Sequence, residues 1–170
     1  MDGARLDRVL TRMAHEIVEH NPEPDLLSFI GIQTHGAPLA RRLATKVGAI
    51  LKREFPVGEL DISMHRDDLA LRNAPPKVGP SNITFDVTNR VVVLVDDVLF
   101  TGRTIRAAMD EINDFGRPQR IQLASLIDRG HRELPIRPDY VGKNVPTASG
   151  ERVRVRLVEI DGKDEVVIER

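Results

Sequence analysis

The sequence predicts an α/β fold in which a central parallel sheet is flanked by helices. An unbroken run of apolar, β-branched residues at 91–95 is typical of a strand that is buried on both faces of such a sheet. Two carboxylates, Asp96 and Asp97, follow this run directly. Open α/β sheets bind ligands beyond the carboxyl ends of their strands, so we expect a functional site at this edge.

The elements before the central strand begin with a helix, a strand and a second helix. Apolar residues recur at helical spacing over 6–17, and the prolines within 21–24 end this first helix. A buried strand at 26–32 then leads to a turn at Gly36. A second helical stripe of apolar residues follows, with Pro38 suited to its first turn.

The remaining elements complete the sheet and add a hairpin. Helical spacing at 105–115 predicts a third helix, which Gly116 and Pro118 end. Further strands are predicted at 60–64, 121–127 and 139–142. Apolar residues that alternate over 153–157 and return at 166–168 predict an antiparallel hairpin with a turn at Asp161 and Gly162. Because the chain has no internal repeat or linker, we expect one domain over 1–170.

One long irregular segment interrupts this order. Residues 72–89 are rich in Pro, Gly, Asn and Lys, so they predict no regular element. Irregular segments of this length in a compact domain are usually functional or disordered. We therefore predict a flexible lid at about 66–89. The alternative is a solvated β-ribbon that takes no part in chemistry.

The composition is that of an ordinary globular protein. The chain has 170 residues, of which 41% are hydrophobic and 30% are charged, and its formal net charge is −1. This balance argues against indiscriminate affinity for nucleic acids, although it does not exclude a local basic patch. The chain has no cysteine and begins without an apolar signal segment, so we expect a cytoplasmic protein with no membrane partner.

The stretch after the central strand combines acids, hydroxyls and a glycine. Gly102 lets the backbone close around an anion, Thr101 and Thr104 offer hydroxyl donors, and free N–H groups at the start of the third helix favour negative charge. Asp96 and Asp97 would repel the same phosphate, so they should face ribose hydroxyls or hydrated Mg²⁺. The predicted ligand is a sugar phosphate that is held at both ends.

Response regulators and P-loop enzymes also place acids after an apolar strand, and the acidic pair alone does not separate the three classes. A P-loop requires G-x-x-x-x-G-K-[ST], but Ala37 and Pro38 stand where Lys and Ser or Thr should follow Gly36. No G-x-G-x-x-G occurs either. The turn at 34–36 instead offers a second cradle of backbone N–H groups, which suits a pyrophosphate.

The stretch 91–104 resembles the motif that binds 5-phosphoribosyl 1-pyrophosphate (PRPP) in type I phosphoribosyltransferases. From about residue 11 onwards, the chain is similar to the branch of pyrimidine-operon regulators with uracil phosphoribosyltransferase activity. Five segments carry this resemblance in order: 10–17, 66–69, 96–104, 128–137 and 141–147. The resemblance implies the type I phosphoribosyltransferase fold, with a small hood at about 143–170 and a flexible loop.

The resemblance also implies a reaction and its partners. Uracil and PRPP would be converted to UMP and pyrophosphate, with Mg²⁺ as cofactor. UMP or UTP would act as regulators, and the nucleotide-bound protein would bind the leader of pyrimidine mRNA and promote attenuation. The implied assembly is a homodimer or a homotetramer.

The resemblance assigns roles to individual residues. Asp96, Asp97 and Arg66 are the implied catalytic residues, and Asp96 or Asp97 is the implied contact to Mg²⁺. The implied PRPP-binding residues are Val92, Val93, Leu94, Val95, Asp96, Asp97, Val98, Leu99, Phe100, Thr101, Gly102, Arg103 and Thr104. Three smaller sets are the pyrophosphate loop of Thr34, His35 and Gly36, the uracil hood of Lys143, Asn144 and Val145, and RNA contacts at Thr11, His15, Arg129, His131, Arg132, Arg137 and Lys143.

Plainer interpretations stand beside these roles. Arg66 could form a surface salt bridge with a neighbouring acid, His15 could be an ordinary exposed helix residue, and the basic cluster at 129–143 could be a solvated, charge-balanced surface. Three functions therefore stay open: a uracil phosphoribosyltransferase, an RNA-binding regulator with secondary catalysis, and a phosphoribosyltransferase for another base.

Two departures from the family pattern affect these expectations. His35 stands where the family reads arginine, and an imidazole is charged mainly below about pH 6.5, so we expect weaker binding of pyrophosphate. Residues 148–150 read Ala-Ser-Gly where the family commonly reads Ser-Arg-Ser, so one arginine of the implied RNA face is missing.

Overall fold

Five parallel strands form the central sheet of this computed structural model, which describes residues 1–63 and 81–170. The strands are β1 (Leu27–Ile32), β2 (Val57–Leu60), β3 (Val91–Leu99), β4 (Arg120–Asp128) and β5 (Tyr140–Asn144), in the spatial order β2-β1-β3-β4-β5. The flanking helices are α1 (Gly3–His20), α2 (Gly36–Leu51) and α3 (Arg103–Phe115). The predicted α/β fold with a parallel central sheet is confirmed.

Strand β3 lies at the centre of the sheet because its apolar residues can be buried on both faces. It pairs in parallel with β1 on one side and with β4 on the other. Helices α1 and α2 cover one face of the sheet, and α3 covers the other. Burial of these two apolar clusters drives folding. Because all five strands are parallel, their carboxyl ends meet at one edge.

A two-stranded antiparallel hairpin completes the described chain. It consists of β6 (Arg152–Arg156) and β7 (Glu165–Glu169), with the short helix α4 (Val158–Asp161) between them. The chain start joins this hairpin, since the Met1 amino group donates to the Val166 carbonyl at 2.7 Å and the Val166 N–H donates to the Met1 carbonyl at 2.8 Å. The predicted hairpin is confirmed, and Val155, Leu157 and Val166 pack into the same cluster as α1 and α2.

Two predicted strand boundaries were wrong. The central strand does not end at Asp96, because β4 continues to pair with it as far as Leu99. The strand predicted at 60–64 lies earlier, at Val57–Leu60, where it pairs with β1. It ends because the Asp61 carboxylate accepts hydrogen bonds from both the N–H and the hydroxyl of Ser63, at 2.9 and 2.6 Å, which turns the chain.

The predicted lid at 66–89 lies mostly outside the described residues. Its last part, from residue 81 onwards, packs against the sheet. Asn82 exchanges two backbone hydrogen bonds of 2.9 Å with Glu59 of β2, and Val87 is fully buried. Ile83 and Phe85 pack against the apolar cluster under α3. The flexible lid at about 66–89 stays a prediction.

Within the described ranges, no helix has the length and apolar character needed to span a bilayer.

Candidate active site

The two acids at the end of β3 are not equivalent. Successive side chains of a strand point to opposite faces, and here Asp96 is only 6% exposed whereas Asp97 is half-buried. Asp96 Oδ1 accepts the Asp97 N–H at 3.0 Å, and Asp97 Oδ1 accepts the Val98 N–H at 2.9 Å. Burial, followed by the nearby charge of Asp97, raises the pKa of Asp96 well above its ordinary value. Asp97 is therefore the more accessible carboxylate of the pair.

The glycine loop, residues 101–104, follows these acids after three intervening residues. Gly102 caps the N-terminus of α3 with φ 94°, a left-handed conformation that favours glycine. The Arg103 N–H donates to the Thr101 hydroxyl at 3.3 Å, which tightens the first turn of the helix. The loop thus presents hydroxyls and a helix N-terminus next to the carboxylates, as the sequence predicts for a phosphate site.

Residues after β4 brace this glycine loop from behind. The Thr101 carbonyl accepts the N–H groups of Glu133 and Leu134, at 2.9 and 3.2 Å. An added Cβ on Gly102 would lie 3.4 Å from the Ile136 side chain and 3.5 Å from that of Leu134. The residues after β4 therefore hold the loop through backbone hydrogen bonds, and no sequence motif predicts such bonds.

The predicted pyrophosphate loop lies at the same edge, between β1 and α2. The Gln33–Thr34 peptide bond is cis, and Thr34 is exposed. The next glycine permits a close approach to β3, since a Cβ on Gly36 would lie 2.5 Å from the Val95 carbonyl oxygen. Val95 immediately precedes the acidic pair. The fold therefore brings the two predicted anion loops and the acids to adjacent strand ends.

His35 of this loop contacts an acid from the far end of the chain. Its Nε2 lies 3.0 Å from Oδ2 of Asp161, the last residue of α4. Two turns further along α2, Arg42 donates to both carboxylate oxygens of Glu159 and to both of Asp164. The sequence indicates only a hairpin turn at Asp161 and gives no signal for Arg42, because neither residue belongs to a local motif.

The residues predicted for the uracil hood lie at the end of β5, at the same sheet edge. Lys143 and Asn144 are exposed at the end of β5, and the Val145 N–H donates to the Asp128 carbonyl at 2.8 Å. Asp128 is the residue of β4 that pairs with Leu99. Two strands, β3 and β4, therefore lie between the pyrophosphate loop and the hood residues, and the acidic pair belongs to the first of them.

Two of the predicted RNA contacts are engaged within the protein. The Arg129 guanidinium lies 4.1 Å from the Phe100 ring centroid and donates to the Thr147 hydroxyl at 3.0 Å. Arg132 donates to the Phe100 and Ile136 carbonyls, both at 2.8 Å, and pairs with Asp128 at 2.5 Å. These arginines connect the segment after β4 to the glycine loop and the hood.

The other predicted RNA contacts are exposed. Thr11 and His15 lie one turn apart on α1, and the Thr11 hydroxyl accepts a hydrogen bond from Lys46 at 2.9 Å. Arg12 donates to the Val141 carbonyl at 3.0 Å, which joins α1 to β5. The remaining exposed members are His131, Arg137 and Lys143.

The acidic pair fits the Mg²⁺ ion that the resemblance implies. Magnesium prefers oxygen ligands and commonly binds one or two carboxylates together with substrate phosphates and water. Among residues 1–63 and 81–170, no group of three or more His, Cys, Asp or Glu side chains could hold a metal without further ligands. The half-buried Asp97 is thus suited to contact an ion that arrives with its substrate. Arg66, the third implied catalytic residue, lies outside the described residues.

Comparison with known proteins gives the family. Residues 2–159 match the phosphoribosyl transferase domain. The chain is 58% identical over 170 residues to the bifunctional protein PyrR of Chloroflexus aurantiacus, covering 100% of this chain and 93% of that protein. It is 55% identical to the bifunctional protein PyrR of Bacillus cereus, covering 99% and 94% of the two chains.

Solved structures confirm the fold independently. A hypoxanthine phosphoribosyltransferase from Trypanosoma cruzi, in a ternary substrates complex, has a TM-score of 0.77 at 15% identity and covers 99% of this chain and 92% of that one. A hypoxanthine-guanine phosphoribosyltransferase from Bacillus anthracis has a TM-score of 0.68 at 16% identity, covering 86% and 83%. With the identity to the curated relatives, these results show that the chain belongs to the phosphoribosyl transferase domain family and, within it, to the bifunctional PyrR proteins.

Proposed function

We propose that this protein transfers the phosphoribosyl group of PRPP to uracil, which yields UMP and pyrophosphate. The observation that carries the proposal is the meeting of the acidic pair, the glycine loop and the turn before α2 at adjacent strand ends. PRPP has a ribose diol between a 5′-phosphate and a pyrophosphate, so its groups match these three features in chemistry and in order. Membership of the PyrR proteins supports uracil as the acceptor.

The proposed chemistry needs no covalent nucleophile from the protein. A bond forms between N1 of uracil and the anomeric carbon of ribose, while the bond from that carbon to pyrophosphate breaks. Positive charge develops on the ribosyl group and negative charge on the departing pyrophosphate. Positioning and electrostatic stabilisation therefore supply most of the catalysis.

Each feature of the site has a part in this reaction. Asp97 accepts hydrogen bonds from the ribose hydroxyls, and the Thr101–Thr104 loop binds the 5′-phosphate through its hydroxyls and N–H groups. The turn at Thr34 and His35 receives the pyrophosphate. Magnesium, when bound, would neutralise the phosphate oxygens, and Asp97 is the more exposed carboxylate of the acidic pair to hold it.

The test is direct. The protein is incubated with PRPP, Mg²⁺ and one base at a time, namely uracil, hypoxanthine, guanine and orotate, and the nucleotides are separated by chromatography. We expect UMP from uracil and no nucleotide from the other bases. A nucleotide formed only from another base would replace uracil as the acceptor, and no nucleotide from any base would refute the transferase.

We further propose binding of pyrimidine leader RNA, regulated by UMP or UTP, as the second function of this chain. The observation that favours it is the exposure of Thr11, His15 and Lys143, together with the bond from Arg12 of α1 to the Val141 carbonyl, two residues before Lys143. RNA is read mainly in single-stranded loops, whose bases can be contacted by exposed side chains. Filter binding with leader RNA and a scrambled RNA, with UMP present, tests this function. Equal affinity for the two RNAs would refute it.

A further inference from the structure

The contact between His35 and Asp161 joins the pyrophosphate loop to the hairpin at the end of the chain. The two side chains are 25% and 28% exposed, so solvent screens their interaction only in part. Asp161 Oδ2 also accepts the Leu157 N–H at 2.8 Å, which holds the carboxylate in place from its own backbone. His35 makes no side-chain capping bond to α2. Its ring is therefore oriented from outside its own loop.

The hairpin is in turn held firmly to α2. Arg42 is 19% exposed and donates to Glu159 through Nε at 2.8 Å and to Asp164 through NH1 at 2.9 Å, with further bonds from NH2 to both carboxylates. Because α2 begins at the pyrophosphate loop, this anchor keeps α4 beside the loop. Asp161 is thus presented to His35 by two rigid elements.

The hydrogen bond to Asp161 decides which nitrogen of His35 remains available. An ionised carboxylate only accepts hydrogen bonds, so Nε2 must carry a proton. The hydrogen bonds from Leu157 and His35 lower the pKa of Asp161, which keeps it ionised at neutral pH. In a neutral imidazole, Nδ1 is then an acceptor and repels an anion. Only the doubly protonated ring can donate an N–H group from Nδ1.

In the part of the chain that the structure describes, the other cations of this corner are already paired. A cleft of about 240 Å³ lies beside the loop, and its lining includes Thr34, Pro38, Glu159 and Ile160. The charged groups that face it or the Asp161 carboxylate come from α2, β2, α4 and the hairpin, and they are Arg41, Arg42, Glu59, Glu159, Asp164 and Arg156. Arg41 pairs with Glu59, and Arg42 pairs with Glu159 and Asp164.

We propose that Asp161 is a positioning residue for the pyrophosphate subsite, where it orients His35 so that the protonated imidazole donates its Nδ1–H to the anion. This inference rests on the proposed function of the loop at 34–36 and deepens it. The pair takes the place of the arginine that the family pattern carries at position 35. A single cation with several donors is replaced by an imidazole whose orientation and tautomer another residue sets.

Removal of the Asp161 charge changes the affinity for pyrophosphate in opposite directions if Asp161 positions His35 and if it only repels the anion. A carboxylate beside an anion site should weaken binding of the anion by repulsion, so its neutralisation should tighten binding. A positioning carboxylate has the opposite effect, because its loss lets the imidazole turn and adopt the other tautomer. The affinity for pyrophosphate therefore reports which of the two descriptions is correct.

The experiment is calorimetric titration of the full chain with magnesium pyrophosphate at pH 6.5. We expect Asp161→Asn to bind about tenfold more weakly than the wild type, in line with the loss of a charge-assisted hydrogen bond. The matched control is Glu59→Gln, which removes a carboxylate charge from the cleft beside the loop without touching His35 or the Arg42 anchor, and which should bind at least as tightly as the wild type. Unchanged or tighter binding by Asp161→Asn would overturn the proposal.

A double-mutant cycle distinguishes a loss of pyrophosphate affinity that acts through His35 from one that results from damage to the fold. In the His35→Ala background, Asp161→Asn should no longer weaken binding, because the ring that it positions is absent. An equal loss in both backgrounds would show that Asp161 acts on the fold rather than through His35. Thermal unfolding of each variant identifies any that fails to fold, and the cycle is then repeated with Asp161→Glu.

The pH dependence gives an independent readout. Affinity of the wild type for magnesium pyrophosphate should fall as pH rises from about 6 to 8, the range in which an imidazole loses its second proton. His35→Arg should lack this fall, since guanidinium stays charged. The same profile in both proteins would overturn the proposal.

Failure of this inference is distinguishable from failure of the proposed function. Formation of UMP from uracil by the wild type, with unaltered pyrophosphate binding in Asp161→Asn, would remove only the positioning role. Absence of UMP formation, with the expected loss of pyrophosphate binding, would leave the positioning role and remove uracil transfer.

Discussion

Replacement of Arg42 by alanine should release the terminal hairpin from α2. The side chain joins α2 to Glu159 and Asp164 through four hydrogen bonds, in two bidentate pairs. Both carboxylates have a lowered pKa for which the bond to Arg42 is the largest cause. The pairs are therefore better formed than most ion pairs at a protein surface.

The expected cost follows from the burial of these groups. An exposed ion pair contributes about 0 to 1 kcal/mol, whereas breaking a buried one costs roughly 3 to 5 kcal/mol. Arg42 is 19% exposed, and its partners Glu159 and Asp164 are 37% and 25% exposed, so the network lies between these limits. We expect Arg42→Ala to lower the free energy of unfolding by about 2 kcal/mol, or Tm by roughly 4 to 8 °C.

Urea unfolding followed by circular dichroism measures this loss. The matched control is Arg41→Ala on the same helix, because Arg41 is 51% exposed and, among residues 1–63 and 81–170, its ion pair is with Glu59. The control should change the free energy of unfolding by less than about 1 kcal/mol. Because the folded-state pKa values of both partner carboxylates are depressed, the Arg42 contribution is present above about pH 4 and is lost as pH falls through those values.

Equal destabilisation by Arg42→Ala and Arg41→Ala would refute this reasoning. The same conclusion would follow if the difference between Arg42→Ala and the wild type persisted at a pH low enough to protonate both carboxylates.

Four further changes test other parts of the site. Asp97→Asn should lower the rate of UMP formation about 100-fold or more at unchanged Tm, and near-normal turnover would remove Asp97 from the reaction. Asp96→Asn should raise Tm at pH 7 but not near pH 3. An acid whose pKa is raised by folding destabilises the native state as pH rises above its pKa in the unfolded chain, about 4. A change in Tm that does not depend on pH would contradict this. Gly36→Ala should raise KM for PRPP about tenfold, because its Cβ would meet the Val95 carbonyl at 2.5 Å, and an unchanged KM would show that the loop is not part of the site. Arg137→Ala should weaken leader RNA binding and lower the slope of log affinity against log salt by about 0.7, because a guanidinium contact to phosphate releases a counterion; an unaltered salt dependence would argue against that contact.

Much of the site was predictable because its signals are local in the chain. The apolar run before Asp96 and the hydroxyl and glycine pattern after Asp97 each act within one strand and one turn. The loop before α2 was found in the same way, from a strand, a glycine and a helix in succession. Local patterns of this kind identify elements and anion cradles, and parallel strands then place those cradles at one edge.

Roles that depend on burial were less predictable. The sequence presents Asp96 and Asp97 as a pair, but the pairing of β4 with β3 buries the first and leaves the second half-exposed. Likewise, Arg129 and Arg132 look like surface cations in the sequence, yet both are bonded to the segments around them. An exposed arginine and an arginine that is bonded within the protein look the same in the sequence. Only the residues around them in the fold distinguish the two.

The fold class, the order of the elements and the chemistry predicted for the two anion loops follow from local patterns, because periodicity and turn residues act over a few positions. The contacts of Asp161 with His35 across 126 positions and of Arg42 with Glu159 across 117 become visible only in the folded chain. Such pairs form no local pattern, since they result from the path of the whole chain through the sheet. The pyrophosphate loop can therefore be predicted from the sequence, whereas the residues that surround it can be identified only in the folded structure.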